Sequence, residues 1–116
     1  MKFQLLPSPK GPIARLVQED EWKLGGLDDF LDLIASSPSD TIALDREALP
    51  EAFFDLRSGI AGEMLQKASN YRRRLAILGM TGDAKGRALA DFIRESNRTG
   101  KVVFVPGLEE AVALLR

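Results

Sequence analysis

The chain contains no cysteine and no histidine. Without cysteine there is no disulfide, no thiolate nucleophile, and no iron–sulfur or cysteine-ligated zinc site. Without histidine the usual general base near neutral pH is missing. Catalysis would have to rest on Asp, Glu, Lys, Arg, Ser, Thr or the single tyrosine, Tyr71. No enzymatic activity and no catalytic residue are therefore expected. No apolar run approaches the roughly 18 residues needed to span a bilayer. The N-terminal stretch MKFQLLPSPKGP has neither the apolar segment nor the small-residue cleavage site of a signal peptide, so the cytoplasm is the expected compartment. Internal repeats and low-complexity segments are also lacking.

What remains is an ordinary globular composition, 45% hydrophobic and 28% charged, over 116 residues. That length suits one domain, residues 1–116, with a core large enough to need no staples. The net charge of −1 hides an asymmetry. Residues 1–55 carry five basic and eleven acidic side chains, and residues 56–116 carry eleven basic and six acidic. Such a split can give a dipolar surface that steers a charged partner, although halves of a chain need not become faces of a fold.

The hydrophobic pattern predicts the order β-β-α-β-α-β-α-β-α. Phe3 to Pro7 and Ile13 to Val17 read as short strands around the turn Ser8-Pro9-Lys10-Gly11-Pro12, with the prolines pointing to a sheet edge. Residues 19–26 form a polar connector holding Trp22. Asp28 to Ala35 reads as a helix capped by Asp28. Thr41 to Leu44, Leu75 to Leu78 and Val102 to Val105 are apolar runs suited to strands buried on both faces. Ala84 to Ser96 reads as a helix with Ala88, Leu89, Phe92 and Ile93 on its apolar face, closed by Asn97 and Gly100. Leu108 to Leu115 reads as a short final helix. Strands alternating with helices predict an α/β domain: a mixed, mainly parallel sheet of about five strands with about four helices.

The segment FFDLRSGIAGEMLQKASNY, residues 53–71, carries the strongest signal. With Asp55 as the cap and 100° per residue, Ile60, Ala61, Met64, Leu65 and Ala68 share one arc, with Phe53 and Tyr71 beside them. Ser58, Gly59, Gly62, Gln66 and Ser69 share the opposite arc. A helical glycine costs about 1 kcal/mol relative to alanine, so two glycines away from the core imply a close approach on that face. The visitor is a partner protein, a ligand, or a neighbouring helix of the same domain. Glu63 and Lys67 flank the stripe as an i,i+4 pair.

Other candidates are weaker. The strand-to-helix segment Gly79-Met80-Thr81-Gly82-Asp83-Ala84-Lys85-Gly86-Arg87 could offer backbone N–H groups to an anion. Its spacing fits neither glycine-rich phosphate-binding fingerprint, and Asp83 would repel an anion. Asp28, Asp29 and Asp32 suit the first turn of a helix without a metal, so no metal site and no cofactor are expected. Arg72, Arg73 and Arg74 favour a helix C-terminus, and net charge argues against nucleic acid. A polar pocket could draw on Glu63, Gln66, Asn70 and Asn97.

Two blocks, FFDLRSGIAGEMLQKASNYRRRLAILG (residues 53–79) and LADFIRESNRTGKVVFV (residues 89–105), resemble a bacterial family known as domain of unknown function 4180. The resemblance extends more weakly over nearly the whole chain. That family usually has an acidic residue after the glycine that follows the second central strand, where this chain has Met80. The order of elements is also similar to the STAS domain of anti-anti-sigma factors and sulfate-transporter tails. There a strand ending in Leu-Asp precedes a Ser-Ser-Gly motif that opens a helix, and phosphorylation of a serine controls docking. Leu44-Asp45 and Arg57-Ser58-Gly59 stand at a comparable separation here, with Arg57 in place of the first serine. The resemblance implies a cytoplasmic regulatory or protein-interaction module, with Ser58 as candidate phosphoacceptor and Ser58, Gly59, Gly62, Gln66 and Ser69 as the docking face. Its partner would be another protein or a second copy of the chain, not a membrane or nucleic acid. The competing expectation is a small-molecule or anion-binding domain, or an enzyme without His or Cys chemistry.

Overall fold

Thr41–Asp45, Arg74–Leu78 and Val102–Val105 form β3, β4 and β5, and each apolar run is buried on both faces in a computed structural model. Residues 1–19, 22–81 and 86–116 are described. β1 (Phe3–Leu6) and β2 (Ile13–Leu16) complete a five-stranded sheet in the order β1-β2-β3-β4-β5. β1 runs antiparallel to β2, and the other three pairings are parallel. The fold is thus α/β with a mixed, mostly parallel sheet and four helices. These are α1 (Leu27–Ser36), α2 (Ile60–Asn70), α3 (Arg87–Thr99) and α4 (Leu108–Leu114).

Because the parallel strands step across the sheet in one direction, right-handed crossovers put α1, α2 and α3 on the same face. The main core follows from that. Ile42, Leu44, Leu75, Ile77, Val102 and Phe104 meet Phe30, Leu33, Met64 and Phe53 there, with Phe92 packed against them. Phe104 lies 6.1 Å from the Phe53 ring and 6.0 Å from the Phe92 ring, centroid to centroid. Side chains of this size contribute ~1.5–3 kcal/mol each on burial. The opposite face is covered by α4, whose Ala111 approaches closely because β3 and β4 present Ala43 and Ala76 there, beside Val103, Val105 and Leu115.

Several boundaries depart from the sequence pattern, and each departure has a local cause. α1 starts at Leu27 with Gly26 at the cap position, where no side chain caps. Asp28 makes no cap. Asp29 instead reaches back and accepts the Gly25 N–H at 2.6 Å. Ala88 is exposed, so the buried anchor of α3 is Leu89, with Phe92 and Ile93 half-buried. The expected start of that helix at Ala84 lies outside the described residues. Tyr71 is 53% exposed rather than joining the core arc, because α2 ends at Asn70. Arg72 at φ 56° then turns the chain, its N–H bonded to the Ser69 carbonyl at 3.0 Å and the Arg73 N–H to the Ala68 carbonyl at 2.8 Å. That pair of bonds is a Schellman motif, with arginine where glycine is usual.

Candidate functional site

The expected helix cap at Asp55 is displaced by four residues, to Gly59. Asp55 accepts the Arg57 N–H at 3.1 Å and caps a 3₁₀ turn, Leu56–Ser58, which follows a second such turn, Glu51–Phe54. Gly59 at φ 78° interrupts the helical path, and α2 begins only at Ile60. Gly59 is therefore needed for its own backbone, since this left-handed geometry is unfavourable for a residue with a Cβ. Gly62 is different. It sits in the first turn of α2 with no positive φ, it is exposed, and a Cβ built on it meets nothing within 4 Å. Among the described residues, no neighbouring helix fills that side. The buried face of α2 is Ala61, Met64 and Ala68, with Ile60 and Leu65 half-buried, as the periodicity predicts.

Ser58, Gly59, Gly62, Gln66 and Ser69 are all exposed, as are Glu63 and Asn70. Gln66 donates from Nε2 to Asn70 Oδ1 at 3.0 Å. The Ser58 hydroxyl has two local partners: it donates to the Ala52 carbonyl at 2.6 Å and accepts the Ile60 N–H at 3.2 Å. It thus ties the preceding 3₁₀ turn to the first residue of α2. Arg57 stands beside it, 94% exposed in its side chain and paired with Asp55 at 3.4 Å.

Asn97 belongs elsewhere. Its Nδ2 donates to the Phe104 carbonyl at 3.1 Å and its Oδ1 accepts the Phe104 N–H at 2.7 Å. The buried Ser96 donates its hydroxyl to the Val102 carbonyl at 2.5 Å. Together they pair the outer edge of β5, the role a sixth strand would have. The side-chain amide of Asn97 is used up there, so Glu63, Gln66 and Asn70 gain no polar atom from it. Its expected role at the helix exit falls to Gly100, at φ 77°.

At the carboxyl ends of β4 and β5, where α/β sheets usually take ligands, Met80, Thr81, Ile93, Arg94, Asn97 and Pro106 are among the residues lining an open cleft of about 540 Å³. Its position, though not its lining, was available from the strand pattern. Arg94 is held by Asp91 at 3.0 Å. Two backbone donors beside the cleft are paired within the sheet: Gly79 N–H bonds the Pro106 carbonyl and Met80 N–H bonds the Val105 carbonyl. The anion site expected over Gly79 to Arg87 falls partly on residues 82–85, outside the described residues. One exposed pair is electrostatically perturbed: the hydrogen bond and positive charge of Arg98 hold the Glu95 carboxyl below its ordinary range. This is a solvated surface pair on α3.

A family model described as domain of unknown function (DUF4180) matches residues 12–115. The chain belongs to that family. Both sequence blocks that carry the resemblance lie inside the match, as do β2 to β5 and all four helices. No curated protein and no solved structure matches the chain, so no comparison supports the expected likeness to the STAS domain. Among the described residues, no helix is long and apolar enough to cross a membrane.

Proposed function

We propose that this domain is a cytoplasmic protein-docking module that receives its partner on the exposed face of α2. The observation that carries the reading is Gly62: a helical glycine with open space where its Cβ would be, so nothing among the described residues offsets its cost. Gly59, Gly62 and Ser69 keep this surface low, and the exposed Gln66 supplies a hydrogen-bonding side chain between Gly62 and Ser69. Close approach of a foreign backbone uses these features together. Ser58 is the control point in this reading. A phosphate there would remove the hydroxyl proton donated to Ala52 and place negative charge at the start of α2 beside Arg57.

The test is capture from the native host's lysate with wild-type and Gly62→Arg baits of matched melting temperature. A specific protein held by wild type and lost with the variant supports the reading. Equal retention of every specific partner by both baits refutes it. Ser58→Asp and Ser58→Ala baits then separate control from simple turn structure, since a switch requires the two to differ in binding at equal stability.

A further inference from the structure

The two edges of the sheet are finished differently. At β5 the outward carbonyl of Val102 and both outward groups of Phe104 are taken by Ser96 and Asn97. At β1 the bond from Val17 N–H to the Lys2 carbonyl, 2.9 Å, fixes the alternation of the antiparallel ladder. Lys2, Gln4 and Leu6 turn their backbone groups inward to β2, and Phe3 and Leu5 turn theirs outward. Edge strands that avoid pairing carry a charge or proline, or are very short; here Lys2 and Pro7 flank a four-residue strand whose own sequence, FQLL, holds neither. Leu5 is also 54% exposed, on the helix-bearing side of the sheet.

We propose that β1 pairs with β1 of a second copy of this chain, antiparallel about a two-fold axis through Gln4. That register sets Phe3 opposite Leu5 of the second copy and Leu5 opposite its Phe3, so all four outward groups of each strand segment find partners. Phe3 and Leu5 then cover each other on the helix side. On the other side Gln4 faces its own symmetry mate, and an amide, being both donor and acceptor, can bond to a copy of itself. Charge favours a second copy as the occupant: the register puts Lys2 opposite Leu6, so no like charges stand opposed. Past the strand, Pro7 of the second copy arrives beside Met1, at a cleft of about 480 Å³ lined by Met1, Lys2, Leu16, Val17, Glu19 and Trp22. The result is one continuous ten-stranded sheet. This inference is independent of docking at α2.

Sedimentation equilibrium over a wide concentration range tests it, with amide hydrogen exchange as a second readout. The mass should rise from the 12.7 kDa of one chain toward twice that, with the Phe3 and Leu5 amides gaining protection in step. Gln4→Lys opposes two charges across the axis and should weaken self-association roughly tenfold. Leu5→Pro deletes an outward N–H that the monomer does not use, and should abolish pairing while the melting temperature of the dilute protein holds. A mass that stays at one chain, or a dimer that survives both substitutions with Phe3 and Leu5 unprotected, overturns the proposal. Protection of those amides only when a different protein is added also overturns it, by assigning the edge to a foreign strand.

Discussion

The two glycines at the start of α2 should respond to alanine with opposite signs. At Gly62 the added Cβ meets no atom within 4 Å, so neither clash nor burial enters. What remains is the backbone: alanine loses less conformational freedom on folding, and the site is already helical. Gly62 lies in the first turn of an 11-residue helix, so the gain should be about 0.5–1 kcal/mol. For a domain of this length that raises the melting temperature by about 2–4 °C. At Gly59 the space is equally open, but φ is 78°. Alanine there must hold a left-handed conformation, which costs about 1 kcal/mol. Thermal and urea unfolding of the two single variants, followed by circular dichroism at fixed pH, reads both. A Gly62→Ala protein that is less stable than wild type would refute the reasoning, because something would then be packed where the structure shows open space. If both variants shift the same way, the distinction between a glycine kept for its backbone and a glycine kept for its surface fails. The outcome also bears on function, since arginine is nearly as good a helix former as alanine. Gly62→Arg should therefore fold about as well as wild type, the gain in helix propensity offsetting a cation in the first turn, and block docking without unfolding.

Arg72→Gly should raise stability by about 0.5–1 kcal/mol, because Arg72 occupies the left-handed position of the Schellman motif at φ 56°; urea midpoints would show it. Asn97→Ala should lower stability by about 1–3 kcal/mol, since it strips both partners from Phe104 on the outer edge of β5. Faster exchange of the Phe104 amide than of its β4-paired neighbours would localise that loss. Gly100→Ala should cost about 1–3 kcal/mol, because φ is 77° and the new Cβ would stand 2.7 Å from the Leu114 carbonyl oxygen; a thermal melt within error of wild type would contradict it.

The sheet was legible because TIAL, LAIL and VVFV are continuous apolar runs bounded by turn residues, and only a strand buried on both faces suits such runs. The buried arc of α2 was legible for the matching reason: Ala61, Met64 and Ala68 recur at helical spacing. The start of α2 was not, because Asp55, Ser58 and Gly59 each carry a cap signal. Periodicity does not say which wins when 3₁₀ turns can satisfy several of them in series. Asn97 was misassigned on similar grounds. Beside Gly100 it looks like a helix exit, and its pairing with Phe104 depends on how α3 lies along β5, a tertiary relation that no local spacing encodes. Within the candidate site, the exposure of Gly59 and Gly62 was readable, whereas their different reasons for being glycine required φ and the space around each.

Where the backbone donors go narrows where this fold can act. In a parallel α/β sheet the carboxyl ends of the strands offer N–H groups to ligands. Here β4 and β5 consume theirs mutually, Gly79 N–H on Pro106 and Met80 N–H on Val105. The Arg15–Asp45 pair, 3.1 Å apart, likewise holds the one carboxylate that ends β3. The Gly79 and Met80 donors are therefore committed inside the sheet. On the proposed docking face of α2, a partner would displace water from Gly62 and Ser69 and exchange the exposed Gln66–Asn70 hydrogen bond, leaving the core arc of Ala61, Met64 and Ala68 intact. The docking we propose would thus lie outside the hydrogen-bond ladder that closes the sheet, so binding and release need break no bond within it.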